Sequence, residues 1–227
     1  MTDTAPRGAL PTRFPIFPLP NVVLFPGTIL PLHIFEPRYR ALMEAALAGD
    51  SVIGMILLKH ERDALAPRPE TFGVGCLGRI GEHERLADGR FNLLLHGACR
   101  FRVLREVELA LPYRTVEAEL VDEPRVASLA ASERSALAHA RGELEARMLE
   151  LVRLTAPENA APLAERMREL DPILLLNAIA FGLECPALEK QSVLEATELA
   201  AQSELLLRVL EFKIAEARLP EGPRSLN

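Results

Sequence analysis

The stretch FPIFPLPNVVLFPGTILPLHIFEPRYRAL, Phe14 to Leu42, decides how the rest of the chain is read. Prolines stand at positions 15, 18, 20, 26, 31 and 37. Each lacks an amide donor and its ring collides with the preceding turn, so no helix interior runs through the segment. What remains is extended chain. Phe14 to Ile16 and Val22 to Phe25 are apolar and β-prone, Pro26-Gly27 marks a turn, and Thr28 to Phe35 reads as a second strand. Strand prolines belong at edges, starts and bulges, so an irregular and strongly bent two-strand entry is expected. From Arg38 to Ala48 the spacing turns helical, with Tyr39, Leu42, Ala46 and Leu47 on one side.

Beyond that helix, Gly49-Asp50 is a stop and Val52 to Leu58 a short apolar strand. Glu61 to Glu70, charged and containing Pro67 and Pro69, reads as a loop. Thr71 to Leu86 reads as a bent strand, and Asp88-Gly89 as a two-residue hairpin signal before a long strand from Phe91 to Leu109. Gly97 marks a bulge in it. Tyr113 to Val121 alternates as a half-exposed strand. At Asp122-Glu123-Pro124 the character changes. Leu137, Ala140, Leu144, Met148 and Leu151 follow helical spacing, and Ala156 to Asn159 breaks that helix. Asp171-Pro172 pairs an N-cap acid with proline at the first helical position, opening an apolar helix that Gly182 ends. A short helix follows Cys185-Pro186, and Glu198 to Arg218 is a last amphipathic helix before a frayed tail from Leu219. Strands first and helices second make an α+β chain with two segregated lobes.

At 227 residues the chain is long enough to bury a core. A net charge of -6 argues against general affinity for phosphate backbones. Met1 to Arg13 has no basic start followed by an apolar core, and the longest apolar run, Ile173 to Leu183, is too short for a bilayer, so a cytoplasmic protein is expected. Cys76, Cys99 and Cys185 sit in apolar sequence and read as buried, reduced thiols.

Gly73-Val74-Gly75-Cys76-Leu77-Gly78 fits the dinucleotide fingerprint, but the residues after it form no amphipathic helix to hold a pyrophosphate, so the glycines read as structural. There is no phosphate loop, and Lys59, Lys190 and Lys213 lie in no nucleophile context. His33, His60, His83, His96 and His139 have no metal-ligand spacing. Neither cofactor nor metal is expected. Glu36 and Arg38 are placed to lock the second strand to the first helix by a charge-assisted hydrogen bond. Arg100, Arg102 and Arg105 make a basic stripe, interrupted by Glu106 and Glu108.

The pieces Pro18-Leu19-Pro20, Val23-Leu24-Phe25-Pro26-Gly27 and Phe35-Glu36-Pro37-Arg38-Tyr39 occur in that order. They resemble the start of the LON substrate-binding domain, the amino-terminal domain of ATP-dependent Lon proteases. Lys190 to Glu195, followed by a Leu-rich helix, is similar to the end of that domain, so the likeness runs from about Phe14 to Arg218. The resemblance implies a small PUA-like β-barrel lobe, 14–122, followed by an α-helical bundle lobe, 123–218. It also implies a stand-alone, non-catalytic module binding polypeptide, either substrate segments or a protease or other partner protein. Phe35, Arg38, Tyr39 and Arg79 are the residues chosen for that surface, by position and side-chain type. The second reading is a PUA-like RNA-binding module using the Arg100 to Arg105 stripe. Oligomeric state is left open.

Overall fold

The structure, a computed structural model, describes residues 10–63, 66 and 68–219. The readings made of the first nine residues, of Pro67 and of the tail beyond Leu219 lie outside the described residues. Two compact units divide between Glu123 and Pro124.

The first unit is a mixed six-stranded sheet with one helix: β1 (Arg13–Leu19), β2 (Ile29–Ile34), α1 (Pro37–Ala48), β3 (Val52–Leu58), β4 (Thr71–Arg85), β5 (Phe91–Val107) and β6 (Arg114–Leu120). Strand order is β2-β5-β4-β3-β1-β6, with β5 also paired to β6. Hydrogen-bonded pairing therefore runs from β5 through β4, β3, β1 and β6 and returns to β5, leaving β2 attached at the side. β1 and β3 are parallel; the other pairs are antiparallel.

The prolines explain how β1 fits between two neighbours. Arg13 to Ile16 pair with β6, and Ile16 to Leu19 pair with β3. Pro15 and Pro18 thus each fall where the strand is paired on one side only, the edge-like setting a missing donor requires. In β2 the phase is set by Gly97 N donating to Thr28 O at 2.9 Å. Continued by twos, the backbone groups of Leu30, Leu32 and Ile34 point to β5, and those of Ile29, Pro31 and His33 point away. Pro31 takes no bond from the ladder and removes one donor from an open edge.

Val22 to Phe25 is not a strand, contrary to its composition. Val23, Leu24 and Phe25 are buried, but the chain is already turning. Thr28 N and Oγ1 both donate to Phe25 O, at 3.2 and 2.8 Å, around Pro26 and Gly27 (φ 78°). Proline followed by glycine at positive φ is a type II turn. The turn lies against β5 so closely that a Cβ on Gly97 would come 2.1 Å from Phe25 O. The β4–β5 connection also differs from expectation. Gly89 N donates to Leu86 O and Leu86 N to Arg90 O, enclosing three residues with Gly89 at φ 82°. That is the turn-plus-bulge hairpin, not the two-residue one.

Phe14, Ile16, Ile56, Leu77, Phe101 and Val116 are among the residues that form the core of this unit. Phe14 and Phe101 meet edge to face at 5.0 Å between centroids. Room for Phe14 is made by Gly54, where a Cβ would lie 2.7 Å from its ring. The three fingerprint glycines belong to β4, as their context implied. A Cβ on Gly75 would sit 2.3 Å from Met55 O and 2.6 Å from the Phe101 ring, one on Gly78 would strike Leu95, and Gly73 has open space.

The second unit is helical: α2 (Ala131–Thr155), α3 (Ala160–Glu169), α4 (Pro172–Gly182), α5 (Ala187–Glu195) and α6 (Leu199–Arg218). Leu137, Leu144 and Leu151, seven apart, bury one stripe of α2; Leu206, Leu210 and Ile214 do the same for α6. Asp171 caps α4 as its sequence implied, accepting from Ile173 N and Leu174 N. α3 follows the expected break at Ala156 to Asn159, and Pro162 stands in its first turn, where proline is tolerated. Arg141 of α2 closes the far end of α3, donating to Met167 O and Leu170 O. Among the described residues no helix is long and apolar enough to cross a membrane.

Candidate functional site

The junction of β2 and α1 carries the motif Phe35-Glu36-Pro37-Arg38-Tyr39. Glu36 is extended (φ -66°, ψ 136°) and Pro37 occupies the first helical turn, so the chain switches from strand to helix within two residues. Arg38 Nε donates to Glu36 Oε2 at 2.9 Å, the charge-assisted bond expected of that pair. Its guanidinium also lies over the Tyr39 ring, 4.5 Å from the centroid.

Tyr39 itself is not surface. It is 7% exposed and packs its ring on Phe17 at 4.2 Å, tying α1 to β1. Burial pushes its phenol up from the ordinary value, with Arg38 pulling the other way. Phe35 is the opposite case, an aromatic ring 60% exposed.

Around Phe35 the fold gathers residues that sequence reasoning did not select. His33 stacks beside it, 6.2 Å between centroids. His33 faces Asn92 across β2 and β5, with Nδ1 and Oδ1 2.7 Å apart. From the β4–β5 turn, Arg90 donates Nη1 to His33 Nε2 at 3.2 Å and Nε to Asp88 Oδ2 at 2.6 Å. The Arg40 guanidinium occupies the space where Gly89 would carry a Cβ, 2.1 Å from that position. Arg85 at the end of β4 bonds Glu44 of α1 at 2.9 Å and lies over Phe91. The result is an exposed ring at the β2–α1 junction, stacked beside a histidine that Arg90 ties to the hairpin tip.

Arg79 is elsewhere. It is level with His96 and Ile29, whereas Phe35 follows Ile34, which is level with Phe91 and Arg85. Five residues of β2 separate the two levels, roughly 17 Å at strand rise. The four chosen residues therefore divide into an exposed Phe35 with a half-buried Arg38, a buried Tyr39, and a remote Arg79.

The Arg100 to Arg105 stripe does not form. Arg100 is 5% exposed and directed inward, where Nε and Nη2 donate to Glu123. Arg105 pairs with Glu117, and Arg102 is level with Glu119. The lysines are held by groups other than serine hydroxyls: Lys190 Nζ donates to Phe181 O at 2.6 Å, Lys213 to Glu216, and Lys59 faces Glu70. Among the described residues no group of histidine, cysteine and carboxylate side chains is arranged to hold a metal.

The family model for the ATP-dependent protease La (LON) substrate-binding domain matches residues 13–211. The chain belongs to the LON substrate-binding domain family. Among sequence relatives, the Lon protease of Anaeromyxobacter dehalogenans is 31% identical over 90% of this chain and 24% of its own length. Lon protease 2 of Myxococcus xanthus is 30% identical over 93% of this chain and 26% of its own. The chain thus spans about a quarter of the length of these curated relatives. The solved N-terminal domain of a Mycobacterium avium complex Lon protease shares the fold at a TM-score of 0.65 and 17% identity, covering 90% of this chain and 98% of that one. A Lon N-terminal domain protein from Xanthomonas campestris does so at 0.58 and 22%, covering 86% and 97%. The match to this LON family covers both units and leaves the ATPase and peptidase parts of the relatives unmatched.

Proposed function

We propose that this LON domain binds polypeptide at the Phe35 corner and carries out no chemistry of its own. The observation that carries the reading is the exposure of Phe35 at the β2–α1 junction, where it stacks beside His33, itself in contact with Arg90. An exposed aromatic ring is the kind of anchor that dominates interfaces, and arginine is enriched with aromatic residues at such surfaces, which fits Arg38 three positions along the same motif. The family's description as the substrate-binding domain of an ATP-dependent protease supports polypeptide as the ligand class. The circuit of strand pairing supports reading the first unit as a PUA-like small barrel, and a cytoplasmic setting belongs to the same proposal. Nothing in the disposition of Arg100, Arg102 and Arg105 favours an RNA ligand.

The test is a fluorescence-anisotropy titration of labelled α-lactalbumin, once native and once reduced and carboxymethylated so that it stays unfolded. Saturable binding of the unfolded form only is the expected result. Flat titrations with both forms overturn the reading.

A further inference from the structure

The hydrogen bonds of His33 are ones that only its neutral form satisfies. Nε2 lies 3.2 Å from Arg90 Nη1, and a guanidinium has donors but no acceptor. Nε2 must therefore accept, and the single ring proton must sit on Nδ1, donated to Asn92 Oδ1 at 2.7 Å. Arg90 is fixed from its other side: Asp88 accepts its backbone N on Oδ1 and its Nε on Oδ2. One imidazole thus links β2, β5 and the β4–β5 turn.

We propose that the Arg90–His33 contact is a proton-operated latch, which holds the β4–β5 turn against β2 and releases on acidification. A proton taken from solvent by Nε2 sets N–H against N–H and places two cations within hydrogen-bond distance. Among the described residues no carboxylate bonds the imidazole. Asn92 on β5 and Phe35 after β2 are neutral, and both Asp88 oxygens already serve Arg90. The other charged groups on this side are Glu84 of β4, level with Asn92 one strand further away, Glu36 and Arg38 just after Phe35, and Arg40 of α1 at Gly89. Histidine is the side chain whose ordinary ionisation falls between about pH 5 and 8, the range over which the latch is to be tested. Release frees the Nε2 edge of the imidazole beside Phe35. Its consequence for ligand binding rests on the reading of Phe35 given above; the latch does not.

NMR of the full chain tests the latch directly. Long-range proton–nitrogen spectra of the imidazole and backbone amide spectra are followed from about pH 8 to about pH 5, for the wild type and for His33→Gln. At the upper pH, His33 is expected as the Nδ1–H tautomer. The Gly89 and Arg90 amides should shift with the midpoint of the His33 ring, and that shift should vanish in His33→Gln. In Arg90→Ala the Nδ1–H preference should be lost. An Nε2–H tautomer in the wild type, or turn amides indifferent to His33 ionisation, overturns the proposal.

Discussion

Arg100 and Glu123 form a buried ion pair that pins the last residue of the β unit to the middle of its longest strand. Glu123 Oε1 accepts from Arg100 N at 2.7 Å and Nε at 2.9 Å, and Oε2 accepts from Nη2 at 3.1 Å. Val121 N donates to Arg100 O at 2.9 Å, so backbone and side chain of one residue both hold the departing segment. The pair shows no sign of function. It fixes where the sheet ends.

Removing one member leaves the other charge without its partner. Arg100→Ala is expected to destabilise the protein by about 3 kcal/mol, the lower end for broken buried pairs because the Glu123 side chain retains 21% exposure. Arg100→Lys should recover only part, since an ammonium cannot reproduce the fork. Urea unfolding at neutral pH checks both; a loss below about 1 kcal/mol for Arg100→Ala would place the pair among surface bridges.

The fingerprint glycines give a contrast within one strand. Gly75→Ala drives a methyl group into Met55 O, which is backbone and cannot step aside, so a cost of about 2 kcal/mol or more is expected. Gly73→Ala has open space and should fall within about 0.5 kcal/mol of wild type. Thermal denaturation of the two variants decides it. Equal effects would mean that close approach is not why glycine stands at 75.

The buried thiols predict an alkaline limit. Burial pushes Cys99 up to about 11 from an ordinary 9.0, and pushes Cys76 further in the same direction. A thiol with a raised folded value stabilises fully below the unfolded value of 9.0. That contribution is lost as pH rises through about 11, because the unfolded chain ionises first. Urea midpoints should therefore be level up to about pH 9 and fall above it. The fall should be shallower in Cys99→Ala, though not absent, because Tyr39 titrates with the same sign. An identical slope in the variant would remove Cys99 from the explanation.

Much of this fold was legible because its signals are local. Proline placement, Pro26-Gly27, the Asp171-Pro172 cap and the seven-residue spacing of Leu137, Leu144 and Leu151 each act within a few residues. What failed was set by pairing between distant segments. Val22 to Phe25 has strand composition but lies in a turn packed against Gly97. Arg100 alternates like a surface residue until Glu123 arrives beneath it. The site shows the same division. Phe35 was readable from its motif, whereas the meeting of His33 with Asn92 and Arg90 depends on the β2–β5 register, which no short-range pattern specifies. Tyr39 lies on the side of α1 it shares with Leu42 and Ala46, a local spacing, whereas its ring partner Phe17 stands 22 positions earlier.

Phe35 and Phe212 offer the most direct test of the binding account, since one is 60% and the other 59% exposed, in different units. The measurement is the anisotropy titration with carboxymethylated α-lactalbumin, comparing wild type, Phe35→Ala and Phe212→Ala. The account predicts that Phe35→Ala weakens binding at least about tenfold, roughly 1.4 kcal/mol, while Phe212→Ala binds like the wild type. Unchanged affinity in Phe35→Ala, or a loss confined to Phe212→Ala, would contradict it.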